Sequence, residues 1–214
     1  MIPLSEIAAA LPAQLPLALG WLLYALVHSL TASMRCKAFC QRRWPKIFAI
    51  YRLLYNGLAV VLLIPLAALS MQSPGPQLWT WTGAAAWLLN GLAVLVVLAF
   101  LRGGSGYDLM AFLGLRPLRA AGAPRLVISP WHRFVRHPWY CLALVLIWTR
   151  DMNAASLVSA IAITLYFVIG SRLEENKLVA EFGERYREYQ RRVPGLLPLP
   201  WRILSKEEAR RLAG

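Results

Sequence analysis

The chain has 214 residues, of which 58% are hydrophobic and only 15% charged, whereas about a quarter of a soluble domain is charged. So few charges cannot cover a water-facing surface, which excludes an ordinary soluble globule and points to an integral membrane protein. The net charge of +13 reads as topology rather than as a nucleic-acid footprint, because the basic residues alternate along the chain as set out below.

The opening stretch "MIPLSEIAAALPAQLP" holds no Lys or Arg, so it lacks the basic start of a secretory signal peptide. Apolar segments then fall at 15–32, 53–70, 79–101, 138–149 and 154–171. No basic residue precedes the first segment, six separate it from the second, and none separates the second from the third. Six more fill the third connection, one (Arg150) the fourth, and ten follow the last segment. This is the positive-inside pattern. It predicts five crossings, with the N-terminus outside and the C-terminus in the cytoplasm of a bacterial inner membrane. Cytoplasmic Lys and Arg would meet anionic lipid headgroups.

The first segment carries His28, an intramembrane imidazole. It either helps deprotonate a reaction partner or bonds a neighbouring helix carbonyl or the surroundings of Ser29. Cys36 and Cys40 stand one helical turn apart on the side where thiols stay reduced. No Cys or His nearby completes a metal site, so they read as small packed residues and no metal is expected. Pro65 should kink the second segment. Trp79 and Trp81 mark the outer interface of the third, as aromatic belts do.

Residues 102–137 are rich in Gly and turn formers and read as a loop with one short helix. Their "GGSG" lacks the Lys and preceding strand of a phosphate loop. Residues 138–149 supply about twelve apolar positions, fewer than the roughly 20 a crossing helix needs. Their helix must begin in the cytoplasmic layer near Pro138, turn at "TRDMN" and return through 154–171 as a helical hairpin. Cys141 inside the first arm reads as packing. Residues 172–192 predict an amphipathic helix, with Leu178, Phe182, Tyr186, Tyr189 and Val193 on one stripe. Glu181 with Arg185 and Glu188 with Arg192 are spaced to pair on its wet face. Gly183 marks a bend or a close backbone approach, and "VPGLLPLPW" ends the helix. There is no internal repeat. The expectation is one all-α, polytopic membrane domain over 1–214, with three N-terminal helices in 1–101 and the binding part in 102–214.

Glu174 and Glu175 follow the last apolar segment and border the apolar stripe, where a carboxylate is costly without a partner. The hairpin brings their end close to Arg136 and His137, which open its first arm. A salt bridge fastening the hairpin needs only two of these groups. Arg133, Arg136, His137, Tyr140, Glu174, Glu175, Tyr186 and Tyr189 together are rich enough for a pocket taking a zwitterionic cofactor. Acidic groups suit an ammonium or a ribose diol, and aromatic rings suit an adenine plane or a sulfonium charge.

"RHPWY", then "EENKL", then "FGERYREYQRRVPGLLP" resemble, in order over residues 133–198, the motifs of the isoprenylcysteine carboxyl methyltransferase family of membrane enzymes. "LVHSLTAS" in the first segment is similar to the bacterial branch that includes methanethiol S-methyltransferases and membrane proteins associated with denitrification genes. The resemblance implies a small multi-spanning fold using S-adenosylmethionine at the cytoplasmic end of the last segments, capped by the C-terminal helix. By position, Arg136, His137, Pro138 and Tyr140 would line the cofactor pocket, Glu174 and Glu175 would hold its polar groups, and Tyr186 and Tyr189 would close it. "PWHR" at 130–133 departs from the Gly-x-Tyr-Arg that relatives carry, with Pro130 and His132 in place of the Gly and Tyr. This bears on loop shape and acceptor choice. The expected activity is methyl transfer to a small lipophilic acceptor entering from the membrane, a thiol, a lipid or a carboxylate, with His28 and Arg133 as candidate catalytic groups. The alternatives are a non-catalytic ligand-binding membrane protein and an NADPH-dependent reductase of related architecture.

Overall fold

The computed structural model describes residues 4–103, 110, 113–115 and 126–213, with side chains described from residue 12. Most of the "GGSG" stretch and much of the 102–137 segment expected to be a loop with one short helix therefore lie outside the described residues. In chain order the elements are α1 (Leu4–Ala32), α2 (Met34–Arg43), the single turn α3 (Pro45–Phe48), α4 (Tyr51–Gln72), β1 (Gln77–Trp79) and α5 (Gly83–Gly103). A 3-10 turn at Trp131–Arg133 precedes α6 (Pro138–Trp148), β2 (Met152–Asn153), α7 (Ala154–Phe182), α8 (Glu184–Arg192) and α9 (Lys206–Ala213).

Four helices are long and apolar enough to cross a membrane: Pro12–Ala32, Tyr51–Gln72, Gly83–Arg102 and Ala154–Phe182. Their surfaces expose Leu26, Val60, Ile64, Trp87 and Leu95, as expected where lipid rather than water is the solvent. The protein is a multi-pass membrane protein. Helix α6 has 11 residues, about 16 Å at the helical rise, and so falls short of the hydrocarbon thickness. Helix α4 runs unbroken through Pro65.

The chain divides into two compact units. In the first, α1, α4 and the opening turns of α7 pack through Leu17, Leu66 and Ala155, with Trp21, Leu69 and Val158 around them. Trp21 Nε1 donates to Ser159 Oγ at 2.9 Å. His28 lies between the rings of Tyr24 and Tyr55, with centroids 5.4 and 4.5 Å away, and its Nε2 is 2.6 Å from the Tyr55 hydroxyl. Its neighbour across the helix pair is thus a phenol. The first unit also holds an antiparallel strand pair absent from the sequence expectation, Gln77 opposite Asn153 and Trp79 opposite Met152. The partners are more than seventy residues apart, so no local pattern announces them. Asn153 then caps α7 by accepting from Ser156 N at 2.8 Å, the usual use of Asn at a helix start.

The second unit holds α6, the rest of α7, α8 and α9. The charged stretch expected as a separate helix over 172–192 instead continues α7, because strong helix formers follow Ser171 with no breaker until residue 183. There Gly183 adopts φ 59, ψ −133, and a Cβ at that position would meet nothing within 4 Å. The glycine is present for its backbone angles rather than for a close approach. This break resets the helical phase: Glu184, not Glu181, takes Arg191 at 2.8 Å and Arg187 at 3.6 Å, while the expected Glu188–Arg192 pair forms at 3.9 Å. Gly183→Ala should therefore cost about 1–3 kcal/mol, the usual strain of this glycine-only region, seen as a lower thermal midpoint in detergent. An unchanged midpoint would mean the chain can leave α7 by another path.

Beyond α8 the chain folds back. Tyr186, Tyr189, Val193, Leu204 and Leu212 form a buried core with Leu126. Helix α9 begins with a reciprocal cap, Glu208 N donating to Ser205 Oγ at 3.1 Å and Ser205 N donating to Glu208 Oε2 at 2.8 Å. Its buried Ala209 and Leu212 close that core.

Candidate active site

The groups singled out in "RHPWY" and "EENKL" meet within the second unit. His137 is the residue before α6 and Pro138 its first residue, a position where the missing N–H costs nothing. The backbone here is held by the "VPG" segment: Arg136 N donates to Pro194 O at 2.9 Å and His137 N to Gly195 O at 3.1 Å. Glu174 and Glu175 lie on the last turns of α7 and face this corner.

Glu175 is buried and saturated. Its Oε1 accepts from Arg136 Nε at 2.7 Å and from His137 Nε2 at 2.9 Å. Its Oε2 accepts from Arg136 Nη2 at 3.1 Å and from Gln190 Nε2 at 2.9 Å. The Arg136 contact is a fork-to-fork pair, the strong form of a charge-assisted bond. Arg136 Nη1 goes to the carbonyls of Gln190 and Val193, so the guanidinium ties three segments together. A Cβ on Gly195 would stand 3.3 Å from Arg136 Nη2, which explains a glycine after the proline. Because the Glu175 carboxylate only accepts, His137 must carry its proton on Nε2. Its Nδ1 then faces Glu174 Oε2 at 3.6 Å, on a carboxylate whose side chain is 53% exposed.

A cavity of about 140 Å³ opens beside this cluster. Its polar wall is Arg136, His137, His132 and Glu174; Leu126, Val127, Leu178 and Phe182 make the apolar wall, and Tyr186 and Tyr189 line it from α8. The two acids therefore divide: Glu174 reaches the cavity, whereas Glu175 holds the wall upright. Burial pushes the hydroxyls of Tyr186 and Tyr189 well above the usual phenol range, with Glu175 adding to the effect at Tyr186. Both stay protonated donors, and Tyr189 spends its O–H on His132 O at 2.6 Å.

Tyr140, Arg133 and His28 have other surroundings. The Tyr140 ring stacks between His137 and Phe167, with centroids 5.5 and 4.4 Å away. Arg133 Nε donates to Leu204 O at 2.8 Å, and Leu204 N returns a bond to Arg133 O at 3.1 Å. His28 belongs to the first unit with Tyr24 and Tyr55. Two participants were not singled out for the site from the sequence. Gln190 completes the Glu175 shell fifteen residues away, a link that α8's amphipathic phase alone does not reveal. His132 was visible only as a departure from the family pattern.

A Bradyrhizobium diazoefficiens protein named methanethiol S-methyltransferase 2 is 34% identical over 190 residues, an alignment covering 82% of this chain and 70% of the relative. The chain belongs to the methanethiol S-methyltransferase family. The Mycobacterium tuberculosis protein of that name is 31% identical over 195 residues, 84% of this chain and 75% of the relative. In Pseudomonas deceptionensis the methanethiol S-methyltransferase is 47% identical over 68 residues, covering 31% of this chain and 26% of the relative. No family model and no solved structure matches the chain. These relatives fall in the bacterial branch that the first-segment motif resembles.

Proposed function

We propose that the chain is an inner-membrane methyltransferase that uses S-adenosylmethionine and methylates a small lipophilic thiol. The observation that carries this reading is the cavity in which one half-exposed carboxylate, Glu174, faces a buried arginine–histidine pair beside an apolar wall. That donor set fits a zwitterionic nucleoside. Glu174 would accept from an ammonium or a ribose diol, Leu126, Leu178 and Phe182 would offer surface to a purine, and His137 would face the remaining polar groups.

When bound, S-adenosylmethionine supplies a methyl group already activated by its sulfonium. What remains for the protein is alignment and the exclusion of water. The Arg136–Glu175 pair fixes the wall, Gln190 and the "VPG" carbonyls fix the pair, and Tyr186 with Tyr189 forms a rigid protonated face. Arg133 fastens the segment around Leu204, and His28 holds α1 against α4 through Tyr55. Helix α6 serves as a short fifth arm that begins in the cytoplasmic layer and forms a hairpin with α7. The N-terminus lies outside and the acceptor enters from the lipid.

S-adenosylhomocysteine at 100 times its dissociation constant should stabilise the detergent-purified protein by about 2.7 kcal/mol, with no response to NADPH. Labelled methyl groups should pass from the cofactor to methanethiol. Stabilisation by NADPH alone would replace this reading with that of a reductase.

A further inference from the structure

Besides Glu174, the cavity wall contains an imidazole that the pocket's architecture leaves unused at one nitrogen. His132 sits in the 3-10 turn Trp131–Arg133, half-buried, and lines the cavity next to His137 and Glu174. Its Nδ1 is 2.7 Å from Ser129 Oγ, and its backbone carbonyl is held by Tyr189. Its Nε2 takes no hydrogen bond among the described residues. The ring is thus fixed at one nitrogen and at the backbone while the other nitrogen is free. By contrast, the neighbouring His137 commits Nε2 to Glu175 at 2.9 Å, and its Nδ1 faces the Glu174 carboxylate at 3.6 Å.

A thiol acceptor raises a need that a carboxylate acceptor would not. A simple alkanethiol is a weaker acid than a cysteine thiol at about 8.5, so at neutral pH it arrives protonated, and only the thiolate is a competent nucleophile. Resting on the methyltransferase reading above, we propose that His132 is the general base for the acceptor, with Nδ1–H donating to Ser129 Oγ and the Nε2 lone pair taking the thiol proton. The S–H bond breaks and its electron pair stays on sulfur as the proton forms an N–H bond at Nε2. The thiolate then forms a bond to the methyl carbon while the carbon–sulfonium bond breaks, its electrons returning to the departing sulfur as a neutral thioether. The imidazolium then gives its proton to water.

The surroundings keep this base ready. Burial lowers the His132 pKa below its ordinary value, and the neighbouring His137 lowers it further, so the ring is neutral at physiological pH. Among the described residues, the charged and titratable groups that line the cavity with it are Arg136, His137, Glu174, Tyr186 and Tyr189.

The test uses His132→Gln in full-length, detergent-purified protein, with methanethiol as acceptor and S-adenosylhomocysteine as binding probe. Thermal stabilisation by S-adenosylhomocysteine should match the unaltered protein. Methyl transfer at pH 7 should fall about 100-fold, within the range for losing a general base. The deficit should shrink as pH rises and the thiol ionises in solution. A wild-type rate at pH 7, or a deficit of equal size at every pH, overturns the proposal. A readout independent of turnover is carbethoxylation of the unaltered protein by diethyl pyrocarbonate, located by mass spectrometry. His132 should be modified readily and His137 should resist, and an unreactive His132 also overturns the assignment, including where His132→Gln fails to bind the probe. If S-adenosylhomocysteine does not stabilise even the unaltered protein, it is the methyltransferase reading that fails.

Discussion

Glu175→Ala is expected to lower the stability of the second unit by about 3–5 kcal/mol, the cost of removing one partner from a buried ion pair. The Glu175 and Arg136 side chains are only 11% and 13% exposed, so solvent cannot replace the lost carboxylate. Removing it strands Arg136 Nε and Nη2, His137 Nε2 and Gln190 Nε2 at once. A large drop in the thermal midpoint should follow, and S-adenosylhomocysteine binding should disappear with it. Glu175→Gln keeps the shape but loses the charge, and should fall between the two. If Glu175→Ala melts with the unaltered protein, the pair is dispensable and the wall of the cavity is held by something else.

Glu174→Gln should behave in the opposite way. Its side chain is half in solvent and its nearest ionic neighbour is 3.6 Å away, so the fold should tolerate the change with little loss. The cofactor should not. A hydrogen bond to a charged group is worth about 1.5–3 kcal/mol, which at about 1.4 kcal/mol per tenfold is a ten- to hundredfold weaker affinity for S-adenosylhomocysteine. Titration of the thermal midpoint against ligand concentration measures it. Neighbouring acids with inverted phenotypes, one structural and one binding, are a sharper test than either variant alone. Equal phenotypes would remove the distinction drawn from the geometry.

The meeting of "RHPWY" with "EENKL" was legible from charge and topology. Two costly clusters, each bordering an apolar segment, can satisfy one another by pairing, and Arg136 and His137 do pair with Glu175. The four long helices were legible from hydropathy. What each acid does was not, because burial of Glu175 and exposure of Glu174 depend on Gln190 and on the "VPG" carbonyls, contacts that no periodicity encodes. The continuity of α7 through Phe182 was hidden by the change from apolar to charged composition at Arg172, which marks a change of solvent rather than a change of backbone. Helix α9 was overlooked although "SKEE" carries the Ser-x-x-Glu capping signal, because eight residues make a weak periodic pattern. That Nε2 of His132 takes no hydrogen bond among the described residues required the coordinates.

The cross-ties between "RHP" and the stretch from Gln190 to Leu204 have a consequence for biogenesis. Arg136 draws acceptors from Gln190, Val193 and Pro194, and Arg133 from Leu204. While a nascent chain has been translated only through its last membrane helix, these acceptors do not yet exist. The corner around Arg136 therefore cannot be completed until the stretch after residue 190 has been made, later in synthesis than the last long apolar helix.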